Sequence, residues 1–208
     1  MIRKLIAGSA AAFALTMFVF AQGGRQASPA GTAATEIGGK YDPAAAEPTY
    51  KGGKWIEITY GRPIRRGREV FGGTGDKYGK VANPDAPVWR AGANFTTQLK
   101  TEVPLVINGK TLAPGAYAML IDLKPGNWTL IVSTQSVQTR YDPNNTTELF
   151  GAYNYTPVQD VVRAPMKLET LTHVVEQLTW QFLDMSDAGG SLAISWDKTM
   201  ASVPFKVQ

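Results

Sequence analysis

Short apolar runs that alternate with polar residues, each closed by a turn signal, limit the fold of this chain more than any other feature. Ile56, Ile58 and Tyr60 alternate with their neighbours, and similar runs recur towards the C-terminus. The Asn108-Gly109 pair separates two such runs and favours a type I′ hairpin. No amphipathic helical pattern of comparable length interrupts them. The pattern predicts an all-β fold, an antiparallel β-sandwich or flattened barrel of about nine or ten strands.

The N-terminus has the pattern of a secretory signal peptide over residues 1–21. Arg3 and Lys4 precede a mostly apolar run that ends near Ala21. Small polar residues interrupt this run, which is shorter than the roughly 20 residues that span a bilayer. We therefore expect cleavage after Ala21 rather than a membrane anchor, with export to the periplasm or the cell exterior.

The next segment, residues 22–53, is rich in Ala, Gly, Pro, Ser and Thr and shows no sustained period. This composition predicts a linker or disordered arm. Ile37, Tyr41 and Tyr50 are the residues of this arm that we expect to contact the domain. A single β domain is predicted over residues 54–208.

Composition excludes several classes of function. The chain has no cysteine, which rules out disulfides, thiolate metal sites and cysteine nucleophiles. It has 21 Lys plus Arg against 17 Asp plus Glu; removing residues 1–21 takes two of the basic residues, so the net charge falls from +4 to +2. That charge is too small to indicate nucleic-acid binding. We predict no cofactor, no metal and no membrane span after signal cleavage.

Several motifs are distributed over the predicted domain, and together they resemble those of a known family. They are Ile58-Thr59-Tyr60-Gly61-Arg62-Pro63, Gly67-Arg68-Glu69-Val70-Phe71-Gly72, Val88-Trp89-Arg90-Ala91-Gly92-Ala93-Asn94, Gly151-Ala152-Tyr153-Asn154-Tyr155 and Ser195-Trp196-Asp197-Lys198. This combination resembles the bacterial secreted family "domain of unknown function 2911". The resemblance implies export and a β-rich domain, and it brings no established activity or catalytic residue. Two departures from the family are an insertion at Ala82–Pro87 and Phe95, which stands where the family commonly has an acidic residue.

Arginine and aromatic residues in these motifs form the candidate ligand site. Guanidinium groups bind carboxylates or phosphates bidentately and stack on indole rings. We expect arginine to hold charge, Trp89 to stack and Asn94 to orient an anionic or carbohydrate ligand. The candidate residues are Arg62, Arg68, Trp89, Arg90 and Asn94.

A structural role for the same arginines stays open. They could cap loop carbonyls or pair with carboxylates such as Glu57, Glu69 and Asp160. Glu69 and Asp160 are also the candidate acid–base residues, although no catalytic residue is assigned. His173 is the only histidine, and no nucleophile motif accompanies it. At least three of the five tryptophans are expected in the core.

Three functions follow from these observations. The leading interpretation is a non-catalytic binding or envelope-associated module for an anionic or carbohydrate ligand. The alternatives are a metal-independent polysaccharide hydrolase or lyase and a purely structural or protein-contact domain. An unpaired Glu69 or Asp160 that opens onto a cavity would favour the hydrolase or lyase.

Overall fold

The computed structural model describes residues 26–44 and 49–208; the predicted signal segment lies outside them. The described chain contains twelve strands and two short 3₁₀ turns, at Gly75–Lys77 and Pro157–Gln159. In chain order the strands are β1 (Ala30–Ile37), β2 (Lys40–Asp42), β3 (Thr49–Lys51), β4 (Lys54–Gly61), β5 (Thr97–Thr101), β6 (Leu105–Ile107), β7 (Lys110–Leu112), β8 (Gly115–Asp122), β9 (Thr129–Ser133), β10 (Asp160–Pro165), β11 (Lys167–Ser186) and β12 (Gly189–Val207).

The strands form two main antiparallel sheets and one small hairpin. The six-stranded sheet has the order β1-β4-β5-β8-β9-β10, and the four-stranded sheet has the order β11-β12-β6-β7. Strands β2 and β3 pair only with each other. Neither main sheet closes on itself, so the all-β antiparallel prediction is confirmed in its sandwich form rather than as a barrel. The predicted Asn108-Gly109 turn joins β6 to β7, with both residues at positive φ.

The hydrophobic core lies between the two main sheets. Ile58 on β4 and Leu99 on β5 face Trp180 on β11 and Ile194 on β12. Along each strand, core-facing side chains occupy every second position, as the alternating pattern requires. The sandwich core therefore follows directly from the periodicity of the sequence.

Half of the outer face of the six-stranded sheet carries a second, smaller cluster. Ala118 and Leu120 on β8 and Ile131 on β9 point away from the main core. Loop residues that include Val88 and Leu149 cover them. Strands β8 and β9 are therefore buried on both faces, whereas β1 and β4 are covered on one.

Strand β1 precedes the domain boundary predicted near Lys54, and it belongs to the six-stranded sheet. This strand pairs in register with the whole of β4, from Ala30 opposite Gly61 to Ile37 opposite Lys54. Ile37 is buried in the core, as expected, whereas Tyr41 and Tyr50 are exposed on the β2–β3 hairpin. The small residues of β1 give a weak alternation, which is why composition suggested a disordered arm. Strands β1, β2 and β3 all lie before Lys54, which explains why the described chain has twelve strands rather than the predicted nine or ten.

Candidate functional site

Two of the predicted site residues, Arg62 and Asn94, hold the N-terminal segment against the sheet. The Arg62 backbone N–H donates to the Pro29 carbonyl (2.8 Å), and Asn94 Nδ2 donates to the Ser28 carbonyl (2.9 Å). Arg62 Nε also donates to the Leu178 carbonyl on β11 (3.3 Å). Arg62 thus caps a backbone carbonyl between two strands, as the structural alternative requires.

Close packing fixes the turn that follows Arg90. A Cβ at Gly61 would overlap the Ala93 carbonyl oxygen, so this position needs glycine. Ala91 has a left-handed φ of 53°. Its carbonyl accepts hydrogen bonds from Trp180 Nε1 (2.9 Å) and Thr97 Oγ1 (3.2 Å). These contacts over-determine an unfavourable backbone conformation, which explains why it persists.

Arg68 lies apart from these residues, in the exposed loop after β4. Its guanidinium donates to the carbonyls of Arg65 (2.9 Å) and Ile64 (2.7 Å). The ion pair in this region belongs to Arg65, whose Nε lies 2.7 Å from Asp197 Oδ1. Arg68 therefore caps its own loop and does not join Arg90 and Asn94.

Trp89 lies in the core, and the stacking role expected of it is corrected. Its side chain is 0% exposed, so a ligand arriving from solvent does not reach it. The indole stacks on Trp196 at 6.3 Å between ring centroids and meets Phe71 edge-on at 5.6 Å. Trp128 and Trp180 are also buried, which confirms that at least three tryptophans pack in the core.

The two candidate acid–base residues have different surroundings. Asp160 Oδ2 accepts hydrogen bonds from the Tyr155 hydroxyl (2.6 Å) and from Arg163 Nη1 (2.8 Å). Glu69 is exposed in the loop after β4 and packs against Gly72. Asp160 is thus an ion-pair partner of an arginine outside the predicted site, and neither carboxylate lines the pockets described below.

The Tyr155–Asp160–Arg163 cluster connects the long loop after β9 to β10. Burial, together with the hydrogen bond to Asp160, raises the pKa of Tyr155 from 10.0 to about 12. Burial lowers the pKa of Arg163, but its hydrogen bonds to Asp160 and Tyr155 outweigh that effect and raise it. Tyr155 therefore stays protonated at neutral pH and donates to the carboxylate.

Arg90 faces this same long loop. Its Cζ lies 5.7 Å from the centroid of the Tyr153 ring, a cation–π contact. Its Nη1 donates to the Asn94 carbonyl (2.8 Å). A Cβ at Gly151 would lie 2.7 Å from the guanidinium carbon, so the glycine lets the guanidinium approach the loop backbone. The structure thus places Arg90 and Asn94 beside the loop that carries Tyr153.

Four aromatic side chains at this loop form what we call the aromatic patch: Phe95, Tyr141, Phe150 and Tyr153. The Phe150 ring centroid lies 5.8 Å from that of Phe95 and 4.8 Å from that of Tyr141. A β-bridge joins Phe150 to Tyr153. Phe95 is 47% exposed, Tyr141 61% and Tyr153 44%. Contiguous exposed rings are typical of a binding surface, because aromatic side chains otherwise contribute most when buried.

Buried amide side chains hold the loop beneath the aromatic patch. Gln138 Nε2 donates to the Asn145 carbonyl (3.0 Å), and Gln138 Oε1 accepts from the Asp142 backbone N–H (2.9 Å). Gln135 Nε2 donates to the Asn154 carbonyl (2.7 Å). These bonds satisfy backbone groups that no strand ladder pairs. Side-chain hydrogen bonds therefore hold the loop that carries the patch in place.

Two neighbouring pockets flank the aromatic patch. One, of about 290 Å³, opens beside Phe95 and Asn94 and reaches Thr59 and Gln98 on the sheet. The other, of about 480 Å³, is lined by the remaining three rings of the patch. Gln138 lines both pockets, so they adjoin. Aromatic rings, hydroxyls and the Gln98 amide thus line one continuous surface.

The aromatic patch was not predicted from the sequence. Tyr141, Phe150 and Tyr153 lie in an irregular segment, where periodicity does not separate exposed from buried positions. Phe95 carried the one usable signal, a large apolar side chain where the resembling family commonly has an acid. Its exposure could have been suspected from that departure.

Within residues 26–44 and 49–208, no group of three or more His, Asp or Glu side chains could hold a metal ion. His173 is exposed on β11. No helix in this part of the chain is both long and apolar enough to cross a membrane.

Comparison with known proteins gives one family and no individual relative. The family described as "Protein of unknown function (DUF2911)" matches residues 42–205. Searches of curated proteins and of solved structures find no match. The matched region covers most of the chain and contains the motifs that carry the resemblance. The chain therefore belongs to the DUF2911 family.

Proposed function

We propose that this protein is a non-catalytic module that binds a carbohydrate through the aromatic patch. The observation that carries this proposal is a set of neighbouring aromatic rings: exposed Phe95 and Tyr141 pack on Phe150, and exposed Tyr153 lies under Arg90. In this proposal the patch takes the stacking role that was expected of Trp89. Arg90 lies beside Tyr153, and Asn94 lines the pocket that contains Phe95.

The chemistry of the patch matches that of a sugar ring. A sugar presents an apolar C–H face that packs on an aromatic ring, while its hydroxyls exchange hydrogen bonds with polar side chains. Tyr141 and Tyr153 supply both an exposed ring and a phenolic hydroxyl. Arg90 adds charge-assisted donors, which favour a sugar that carries a carboxylate. We therefore expect acidic polysaccharides to bind more tightly than neutral ones.

The hydrolase or lyase alternative finds little support at the patch. General acid–base hydrolysis would need two carboxylates within reach of the bound sugar. Among the described residues that line the two patch pockets, Asp142 is the one carboxylate, and its Oδ1 accepts a hydrogen bond from the Asn144 backbone N–H (2.9 Å). Asp160 is engaged by Tyr155 and Arg163, and Glu69 lies in a different loop. The purely structural alternative accounts for Arg62 and Arg68 but leaves the exposed rings without a role.

The proposed setting of this binding is outside the cytoplasm, in association with the cell envelope. The signal-peptide pattern of residues 1–21 supports export. Cell fractionation with antibody detection would test this part separately: recovery of the protein in the cytoplasm, with residues 1–21 still attached, would contradict it.

A glycan-binding screen with the purified protein tests the proposed ligand class. The probes are polygalacturonate as the acidic polymer and xylan without glucuronic acid side groups as the neutral one, measured by affinity electrophoresis. A variant with both Tyr141→Ala and Tyr153→Ala should lose at least tenfold in affinity. Tyr41→Ala removes an equally exposed tyrosine away from the patch and should bind like the unchanged protein. Equal binding by all three proteins would refute the patch as the site.

A further inference from the structure

The outer face of β1, β4 and β5 is an open strip that leads away from the aromatic patch. Cross-strand register places Thr32 beside Thr59, Thr59 beside Gln98, and Ala34 beside Glu57. All of these side chains point away from the core, because Ile56, Ile58 and Leu99 point into it. We call the surface formed by Ala30, Thr32, Ala34, Thr59 and Gln98 the open strip.

The open strip connects two pockets. Its first end is the pocket of about 290 Å³ beside Phe95, which Ala30, Thr59 and Gln98 help to line. Its second end is a pocket of about 400 Å³ formed by Ala34 with Trp55, Glu57, Lys100 and Glu102. The six residue steps from Gly61 back to Trp55 on β4 span about 20 Å. One surface with a pocket at each end is therefore long enough for a chain of several sugars.

Trp55 supplies an aromatic ring at the second end. It is 48% exposed, whereas the other four tryptophans are buried. Its backbone N–H donates to Glu102 Oε2 (2.9 Å), which fixes the strand where the ring projects. A large exposed indole on the outer face of a sheet adds nothing to the core. Its position instead matches that of a stacking residue at the end of a bound chain.

We propose, on the basis of the proposed function above, that the site extends along the open strip to Trp55 and takes an extended oligosaccharide. One end of the oligosaccharide stacks on the aromatic patch and the other on Trp55. The units between them lie over Thr32, Thr59 and Gln98.

The composition of the open strip favours a sugar chain over a polypeptide. Its five residues are uncharged, with hydroxyl, amide and methyl groups that complement a hydroxylated polymer. Charged side chains begin at the Trp55 end, where Glu57 lies opposite Lys100. Small side chains on β1 keep the floor low, so a ring can lie close to the sheet. The strip lacks the contiguous apolar surface with which a protein partner or an amphipathic helix would be buried.

Chain-length dependence of binding tests this inference. Oligogalacturonides of two, four, six and eight units are titrated by calorimetry into the unchanged protein, Trp55→Ala, Thr32→Leu and the Tyr141→Ala/Tyr153→Ala variant. Affinity of the unchanged protein should rise with length. Trp55→Ala should lose about tenfold in affinity for the octamer and leave the dimer unaffected. Thr32→Leu, which obstructs the floor with a larger uncharged side chain, should behave in the same way. Tyr41→Ala is the control.

The outcomes separate this inference from the proposed function. If the patch variant loses binding at every length while Trp55→Ala and Thr32→Leu bind the octamer normally, the open strip is refuted and the patch stands. If the patch variant binds normally at every length, or no oligogalacturonide binds the unchanged protein, both proposals fail for this ligand class. Binding of unfolded casein that is lost in Trp55→Ala would make the occupant a polypeptide and overturn the sugar assignment.

Discussion

The protein contains two aromatic clusters of similar geometry and opposite exposure. The inner cluster, Phe71, Trp89, Trp128 and Trp196, has centroid distances of 4.5–6.3 Å. In the aromatic patch, the Phe150 ring centroid lies 4.8 Å from that of Tyr141 and 5.8 Å from that of Phe95. Ring-to-ring geometry therefore does not distinguish a packing cluster from a binding cluster. Exposure distinguishes them, because only the patch presents ring faces to solvent.

The difference arises from the backbone that carries each cluster. Trp196 lies on β12, and Trp89 is joined to β8 by a pair of backbone hydrogen bonds with Ile121 (2.8 Å each). The sheets thus direct these rings inward. Tyr141 and Tyr153 lie on a loop whose fixed points are the amides of Gln135 and Gln138. The loop lies on the outside of the six-stranded sheet, so its aromatic rings stay at the surface.

Removal of the central inner ring should have the largest effect on stability. Trp89→Ala is expected to lower the free energy of unfolding by about 3–5 kcal/mol, because it leaves a large cavity between the sheets. Urea unfolding followed by circular dichroism measures this change. Trp55→Ala deletes the same side chain at an exposed position and should change stability by no more than about 0.5 kcal/mol. Equal losses in the two variants would erase the distinction between inner and exposed rings.

The Trp89 indole nitrogen adds a second test of the inner cluster. It is buried and has no hydrogen-bond partner among the described residues. An unpaired buried donor costs about 1–3 kcal/mol. Trp89→Phe removes this donor along with part of the ring, so its loss of stability should be well below that of Trp89→Ala.

The same contrast shows what sequence could and could not predict. Alternation around Ile56 and Ile58 indicated the sandwich, because a buried face imposes a period of two on every strand. Trp89 stands in a motif with arginine and glycine, and nothing local shows that Trp196, over 100 residues later, stacks on it. Tyr141 and Tyr153 lie outside any period. Their exposure depends on long-range loop contacts that a one-dimensional pattern does not contain.

Strand β1 was not predicted from the sequence for a related reason. Strand β1 contains only small residues until Glu36 and Ile37, so its own hydrophobic signal is weak. Its position comes from the register with β4 and from the contacts of Arg62 and Asn94 to the segment before it. Residues 30–37 thus form a strand because they pair with β4, although their composition is typical of a linker.

Replacement of Arg90 by alanine should have an intermediate effect on both stability and ligand binding. Arg90→Ala removes the cation–π contact with Tyr153, so we expect a loss of about 0.5–1 kcal/mol in unfolding free energy. It should also weaken binding of polygalacturonate more than that of xylan, because the charge-assisted bonds are lost. Arg68→Ala is the matched control, since Arg68 caps only its own loop. A loss of polygalacturonate binding in Arg68→Ala, with none in Arg90→Ala, would move the site away from the patch.

The smallest expected effect concerns the link between the patch loop and β10. Tyr155 has a pKa of about 12 in the folded chain against 10.0 for an ordinary tyrosine, so between these values the folded state binds more protons than the unfolded state. The stability that this tyrosine contributes is therefore complete below pH 10 and is lost as the pH rises towards 12. Tyr155→Phe should flatten this part of the pH–stability curve relative to the unchanged protein, by less than about 1 kcal/mol because the site is partly exposed.

Thermal unfolding at pH 9, 10 and 11 measures the Tyr155 effect, with Tyr41→Phe as the control for an exposed tyrosine. Lysines also titrate in this range, so the comparison is between variants at each pH rather than between pH values. If Tyr155→Phe and Tyr41→Phe lose stability in parallel with the unchanged protein, the hydrogen bond to Asp160 does not hold the loop. The aromatic patch would then depend on Gln135 and Gln138 alone, and its rings would be less firmly placed than those of the inner cluster.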